Sequence, residues 1–320
     1  MTLNGAALLD EAERLGFIAC GVTSLDPLPH ADALDRWLRV GHAGNMRYLH
    51  RQARKRKHPQ LADQAARRAV VVLDNYYYQG SGDIGLASTA SPGPSVARYA
   101  RGGDYHPVML DRLETLATFL RQNGAGVART YVDTGPVAER ELAQRAGLGW
   151  IGKNTMLLRP GIGSWFFIGV VLTDLELDLD QAFETDHCGS CTRCLDACPT
   201  QAFVEPRVLN ATRCISYLTI ESRGDIPADL AAAFEGWAFG CDICNEVCPW
   251  NQRFAEDTAI RPYHPRATLS GADPEYFERL DQPAFTERFG DTALARPGLE
   301  RMRRNWRAAW RTLVGPGSPE

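Results

Sequence analysis

Apolar positions along the chain switch between two periods, and the switches mark out alternating helices and strands. Leu3, Ala7, Leu8, Ala12 and Leu15 fall near helical spacing and stop at Gly16, which predicts a helix over 3–15. A short strand is expected over 17–22, and a second helix over roughly 30–40, closed by Gly41. The β-branched run Ala69-Val-Val-Val-Leu73 predicts a buried strand. Residues 80–95 are rich in Gly, Ser and Pro and predict an exposed loop. A helix is then expected from Pro107 to near Gly124, a strand over 127–132, and a third helix opening at Pro136 and closing at Gly147. Two strand-like runs, 155–158 and 165–173, flank a Gly-rich turn and predict a hairpin.

This alternation over residues 1–175 predicts a layered domain, and the hairpin predicts that its sheet is mixed. Residues 256–320 read as loosely helical. The expected class is α+β. A mixed-sheet α/β domain spans 1–180, a cysteine-rich domain resembling two-cluster bacterial ferredoxins spans 181–255, and a helical segment spans 256–320. No Gly-x-Gly-x-x-Gly joins a strand to a helix and no Walker sequence occurs, so dinucleotide binding and nucleotide hydrolysis find no support.

Composition adds bounds. The 320 residues are 44% hydrophobic and 23% charged, ordinary for a globular chain. No apolar run approaches the ~20 residues a membrane span needs, and neither a secretory leader nor a twin-arginine signal is seen. A cytoplasmic monomer without a membrane partner is expected. The net charge of −4 means that any nucleic-acid contact must be local. The run Arg47, Arg51, Arg54, Lys55, Arg56, Lys57 and His58 is free of acids until Asp63, and reads either as a solvated helix face or as a phosphate-contacting patch. A second candidate patch is Arg301-Met-Arg303-Arg304-Asn-Trp-Arg307.

The most specific chemistry lies in the cysteines. Cys188-Gly-Ser-Cys191-Thr-Arg-Cys194-Leu-Asp-Ala-Cys198-Pro199 has the Cys-x2-Cys-x2-Cys-x3-Cys-Pro spacing of two-cluster ferredoxins, in which the fourth cysteine serves the other cluster. Cys241-Asp-Ile-Cys244-Asn-Glu-Val-Cys248-Pro249 fits the same register with its first position falling on Ala238, and Cys214 is the natural replacement. One 4Fe–4S cluster is therefore assigned Cys188, Cys191, Cys194 and Cys248. The other takes Cys241, Cys244, Cys198 and Cys214. Paired zinc sites are the competing reading, but zinc does not require the overlapping register. Disulfides are disfavoured in a reducing compartment. Cys20, in an apolar run without partners, reads as a small core residue.

Asp133 follows the strand ending at 132, where ligand and catalytic groups of α/β sheets gather. Its bland alternative is an N-cap for the helix beginning at Pro136. His106, by residue type, is more often a satisfied structural histidine than a ligand. Lys153 and Asn154 follow a Gly-rich turn at which backbone could approach a ligand.

In combination, these segments resemble the epoxyqueuosine reductase family. The resemblance is carried by Arg98-Tyr-Ala-Arg…Asp104-Tyr-His106, Asp133-Thr-Gly-Pro-Val-Ala-Glu-Arg140, Ala146-Gly-Leu-Gly-Trp-Ile-Gly-Lys-Asn154, Gly163-Ser-Trp165, Ile215-Ser-Tyr-Leu-Thr-Ile-Glu221 and Gly240-Cys-Asp-Ile-Cys-Asn-Glu-Val-Cys-Pro-Trp-Asn251. It runs from about residue 5 to about residue 310. The departures are a C-terminus without the helical repeats of some members, and Gly103 where a larger residue is expected. The resemblance implies a cobalamin-dependent oxidoreductase that converts epoxyqueuosine to queuosine at the tRNA wobble position. Two 4Fe–4S clusters would feed the cobalt, with the Cys241 and Cys244 cluster nearer to it, and a flavodoxin or ferredoxin would supply electrons. It implies Asp133 as proton donor with Tyr105 and His106 nearby, and Lys57, Ala97, Lys153, Asn154, Met156 and Ser216 around the corrin. The basic positions Arg54, Lys55, Arg56, Arg303 and Arg304 then read as tRNA contacts. For Asp133 to donate, an apolar cavity is expected to raise its pKa. A reductive dehalogenase and a non-enzymatic electron carrier are the alternatives; the first would release halide, the second would show no corrin spectrum.

Overall fold

The structure, a computed structural model, describes residues 3–79, 93–266 and 273–314. Most of the loop expected over 80–95 lies outside the described residues.

Helix α1 (Gly5–Arg14) is capped by the Asn4 side chain, which accepts the Ala6 N–H at 3.0 Å, and presents Leu8 and Ala12 to the core. Strand β1 (Ala19–Ser24) leads to α2 (Ala31–Arg39) and then to α3 (Arg47–Lys57), which is the basic segment. Strand β2 (Arg68–Asn75) follows, with every residue from Ala69 to Asp74 buried. Its side chains alternate between two cores. Val70 and Val72 pack with Met109 and Leu113, whereas Val71 and Leu73 pack with Leu142 and Ala143. A strand covered on both faces accounts for its continuous apolar run.

After the short β3 (Ser95–Val96), helix α4 (Tyr105–Gln122) is N-capped by Asp104 and buries Met109, Leu113, Leu116 and Leu120 on one face. Strand β4 (Ala128–Val132), helix α5 (Glu139–Arg145), two-residue strands β5 (Trp150–Ile151) and β6 (Leu157–Leu158), and β7 (Phe166–Thr173) complete this part. The sheet order is β1-β2-β7-β4, and each neighbouring pair is antiparallel. The mixed sheet expected from the sequence is therefore not formed. β7 inserts between β2 and β4, so the crossover through α4 never places parallel strands side by side. Nor do 155–158 and 165–173 form a hairpin: β6 pairs with β5 instead. The turn between closes on itself through Arg159 and Gly163, and Asn251 packs against Gly163 where a Cβ would lie 2.4 Å from its Oδ1.

The cysteine-rich part contributes the short helices α6 (Arg193–Asp196) and α7 (Ile215–Ile220), with Cys214 in extended conformation at the head of α7. The strand Trp237–Phe239 pairs with β3 in parallel and joins a core containing Phe277, Phe289, Met302 and Trp306 from the helical C-terminal segment. Within helix Leu299–Val314, Asn305 is fully buried and its Nδ2 donates to the Thr219 carbonyl at 2.7 Å, which fastens α7 in place. No described helix is long and apolar enough to cross a membrane.

Candidate active site and cluster cradles

Asp133 lies one residue beyond β4 with φ of +40°, left-handed backbone that a non-glycine residue rarely adopts. It caps no helix, because α5 starts at Glu139 and not at Pro136. Its carboxylate instead meets the first turn of α4. Tyr105 donates its hydroxyl proton to Oδ2, and His106 Nε2 is 2.9 Å from Oδ1. The other ring nitrogen of His106, Nδ1, lies 2.7 Å from Oδ1 of the N-cap residue Asp104. One cap residue thus starts the helix and also orients the histidine. The Tyr105 ring stacks between Phe167 and His106, with both centroids 4.1 Å away, so its hydroxyl has little freedom.

Electrostatics shift the two groups in opposite directions. Burial raises the Asp133 pKa, but hydrogen bonds from His106 and Tyr105 outweigh it and hold the carboxyl below its ordinary value. For His106 burial acts downward, and its bonds to Asp133 and Asp104 overcome that and raise its pKa. The two shifts together favour the carboxylate–imidazolium form of the pair. In this structure the shift of Asp133 runs opposite to the rise expected for a carboxyl beneath a corrin.

Asp133, Tyr105 and His106 form one wall of a cavity of about 1160 Å³. Cys214 at the head of α7 and Ser216 within it line the same cavity, with Tyr48, Gln52, Arg56 and Lys57 from α3 and Arg296 from the C-terminal segment. Lys57 contributes its stem, since its ammonium is paired with Asp35 at 2.7 Å. Glu139, Arg140, Glu221 and Arg296 also face the cavity and were not singled out by residue type alone, although Glu139, Arg140 and Glu221 sit inside motifs quoted above. Burial pushes the Glu139 carboxyl up to about 7.

Four other positions expected around the corrin are not among the residues lining this cavity. Lys153 Nζ donates to the carbonyls of Gly189 at 2.7 Å and Cys191 at 3.0 Å. Asn154 is buried and its Nδ2 reaches Asn245 Oδ1 at 3.2 Å and the Cys244 carbonyl at 3.4 Å. Both brace cysteine loops. Ala97 is buried behind Phe239, to whose carbonyl its N–H donates at 2.8 Å, and Met156 takes part in the turn with Gly152. Thr155, with φ of +66°, is the residue of that turn which lines the cavity.

The cysteines sort into two sets. Cys188, Cys191, Cys194 and Cys248 line a separate cavity of about 50 Å³ beside Trp250. Burial, and then neighbouring Cys188, Cys248 and Cys191, push the Cys194 thiol up to about 11. In the other set, burial raises Cys241, which also feels Cys244 and Cys214, and raises Cys214, which feels Cys198. Such thiols ionise only against a compensating metal charge. Trp150 Nε1 donates to Cys188 Sγ at 3.4 Å, and the Ala202 N–H to Cys198 Sγ at 3.3 Å. Cys20 is not part of either set. It packs against the sheet core, and burial pushes its thiol up to about 12.

Of the basic residues, Arg54 and Lys55 are exposed on α3. Three others, Arg56, Arg303 and Arg304, are half-buried and hydrogen-bond within the fold. Arg56 donates to the carbonyls of Val137 at 2.7 Å and Gly135 at 2.9 Å. Arg303 donates to the carbonyls of Phe277 and Leu280, and Arg304 to that of Leu218 at 2.7 Å. Buried carbonyls demand donors, and these guanidinium groups supply them.

Two cysteine cradles, one sharing a cavity with a carboxylate–imidazole pair, define an iron–sulfur oxidoreductase. A family model described as "4Fe-4S double cluster binding domain" matches residues 187–251, and one described as "Epoxyqueuosine reductase QueG, DUF1730" matches residues 56–134. The epoxyqueuosine reductase of Cellulophaga algicola is 37% identical over 92% of this chain and 94% of its own. That of Pseudomonas aeruginosa is 40% identical over 93% and 82%. A crystal structure of epoxyqueuosine reductase with an epoxyqueuosine-modified tRNA-Tyr stem loop superposes with a TM-score of 0.87 at 29% identity, covering 96% of this chain and 80% of that one. The Streptococcus thermophilus enzyme gives 0.84 at 28%, over 97% and 81%. The chain belongs to the epoxyqueuosine reductase family.

Proposed function

We propose that this protein reduces epoxyqueuosine to queuosine at the wobble position of tRNA, with cobalamin in the large cavity and two 4Fe–4S clusters in the cysteine cradles. The observation that carries this reading is the shared cavity: Cys214 of one cradle and Asp133 of the acid–histidine pair face the same space. At about 1160 Å³ it exceeds the roughly 300–1,000 Å³ of ordinary ligand clefts, as a macrocycle plus a nucleoside requires. Three of the four buried side-chain atoms without a hydrogen-bond partner among the described residues, Gln52 Oε1, Arg56 Nε and Glu139 Oε1, belong to residues on its wall. An amide-fringed corrin offers both donors and acceptors to such atoms, so the lining fits it.

The reaction removes an epoxide oxygen as water, consuming two electrons and two protons and leaving an alkene. When bound, cobalamin supplies a low-valent metal centre able to hold the reducing power. The chain's own residues supply geometry and protons. His106 stores a proton between Asp104 and Asp133, Asp133 delivers it at the cavity wall, and Tyr105 holds the Asp133 carboxylate in place. Cys241, Cys244, Cys198 and Cys214 hold the cluster nearer the cavity. Cys188, Cys191, Cys194 and Cys248 hold the outer one, which a flavodoxin or ferredoxin would reduce. Residues 1–180 bind the corrin, 181–255 conduct electrons, and 256–320 close the cavity and brace α7. The exposed Arg54 and Lys55 face tRNA phosphate; the tRNA stem loop bound to the relative described above supports a nucleic-acid partner.

The test is anaerobic incubation with cobalamin, a low-potential reductant and epoxyqueuosine-bearing tRNA, followed by nucleoside mass analysis. Loss of one oxygen from the modified base is expected. An unaltered nucleoside in protein loaded with iron and corrin would overturn the proposal.

A further inference from the structure

The loop that carries Asp133 is tied at its first residue by Tyr105 and His106, and by Glu139 at the Asp133 backbone, but its following residues have few local bonds. Its first residue sits in left-handed backbone at φ +40°, and Thr134 turns back onto the Val132 carbonyl through both its N–H and its hydroxyl. The helix that follows starts without any side-chain cap. Local bonds alone therefore leave the carbonyls of Gly135 and Val137 to be satisfied from outside the loop.

Arg56 supplies that satisfaction. Its Nη1 donates to the Val137 carbonyl at 2.7 Å and its Nη2 to the Gly135 carbonyl at 2.9 Å, so one planar group spans both. The guanidinium comes from the last turn of α3, a separate element. Gly135 also lies against the Tyr131 ring, where a Cβ would be 2.3 Å from the nearest ring carbon. The loop is thus held by Arg56 and packed on Tyr131, and Glu139, whose Oε1 is unpartnered, lines the same cavity as Arg56.

We propose that Arg56 is a positioning residue, clamping loop 133–137 so that Asp133 stays in register with Tyr105 and His106. It does not spend its charge on tRNA phosphate. A lysine could reach one carbonyl but not span both, so Arg56→Lys should restore part of what Arg56→Ala removes.

The kinetic consequence rests on the reading of Asp133 as proton donor, whereas the structural consequence does not. Hydrogen exchange of the cluster-loaded, cobalamin-free full chain tests the structural part. In Arg56→Ala, exchange over 133–137 should accelerate on the order of tenfold, with an intermediate effect in Arg56→Lys and no change in the sheet core. Gly135→Ala, which pushes the loop away from Tyr131, should give the same local signature should Arg56→Ala fold poorly. In turnover assays kcat should fall while KM for tRNA and the salt dependence of tRNA binding stay as in the wild type. Unchanged exchange over 133–137 in a folded Arg56→Ala protein overturns the clamp. So does a loss of tRNA affinity with a shallower salt slope and an undiminished kcat, which would make Arg56 a phosphate ligand. Failure of epoxyqueuosine reduction in the wild type would sink the functional reading while leaving the exchange result standing.

Discussion

His106 Nε2 stands 2.9 Å from Asp133 Oδ1, and each group shifts the other toward its charged form. Hydrogen bonds from His106 and Tyr105 hold the Asp133 carboxyl below its ordinary value against burial, and bonds to Asp133 and Asp104 hold His106 above its own. Because His106 is raised, its contribution to stability is fully present below its unfolded value near 6.5 and is lost as pH rises through the folded value. Asp133 is depressed, so its contribution is present above the ordinary carboxyl range and is lost as pH falls through the folded value.

Titration of His106 followed by NMR in cobalamin-free protein should show a midpoint above 6.5. In Asp133→Asn the midpoint should fall, because one of its two carboxylates is gone. An unmoved midpoint would separate the two residues.

Cys214→Ser should lower iron from about eight to about four atoms per chain if each cradle holds one cubane. Cys20→Ala should leave iron content unchanged, since Cys20 packs with the apolar core away from both cradles. Metal analysis of anaerobically purified protein checks both.

Charge reversal at Arg54 and Lys55 should weaken tRNA binding and flatten its salt slope by roughly 0.7–0.9 for each phosphate left without its cation. Arg304→Ala should act differently. It removes donors from the Leu218 and Ser222 carbonyls, so a loss of about 1–3 kcal/mol in stability is expected, with the salt slope unchanged. Salt titrations of affinity and denaturant melts distinguish the two classes.

Asp74 is fully buried in the centre of the sheet domain, bonded by both terminal Arg112 nitrogens and by the Tyr263 hydroxyl at 2.5 Å. Burial raises its pKa despite Arg112. Asp74→Ala would strand the Arg112 charge and should cost roughly 3–5 kcal/mol. Chemical denaturation reads this directly.

Much of this was legible before any coordinates. The cysteine register put Cys188, Cys191, Cys194 and Cys248 together, and these four line one small cavity, because ligand spacing is a local property of the chain. The run Ala69–Leu73 was readable as a buried strand for a similar reason, and the structure buries it between two cores. Strand partners were not legible, since the periodicity of 157–158 is compatible with either β5 or β7. Pro136 resembled a helix start, yet the carbonyls on either side of it are held by Arg56, which lies 79 and 81 residues earlier in the chain. Charge runs mislead in the same way. Nothing local distinguishes Arg54, which is exposed, from Arg56, which faces two carbonyls across the fold. Lys153 and Asn154 sat in a motif that pointed to a ligand, and their partners proved to be the cysteine loops.

The most direct measurement of the central claim is turnover by Asp133→Asn protein shown to hold both clusters and cobalamin, assayed on epoxyqueuosine-bearing tRNA. With the carboxylate gone, His106 loses its route to the cavity, and kcat should fall by roughly 10²–10⁴-fold while tRNA affinity is retained. Wild-type turnover in that variant would contradict the account.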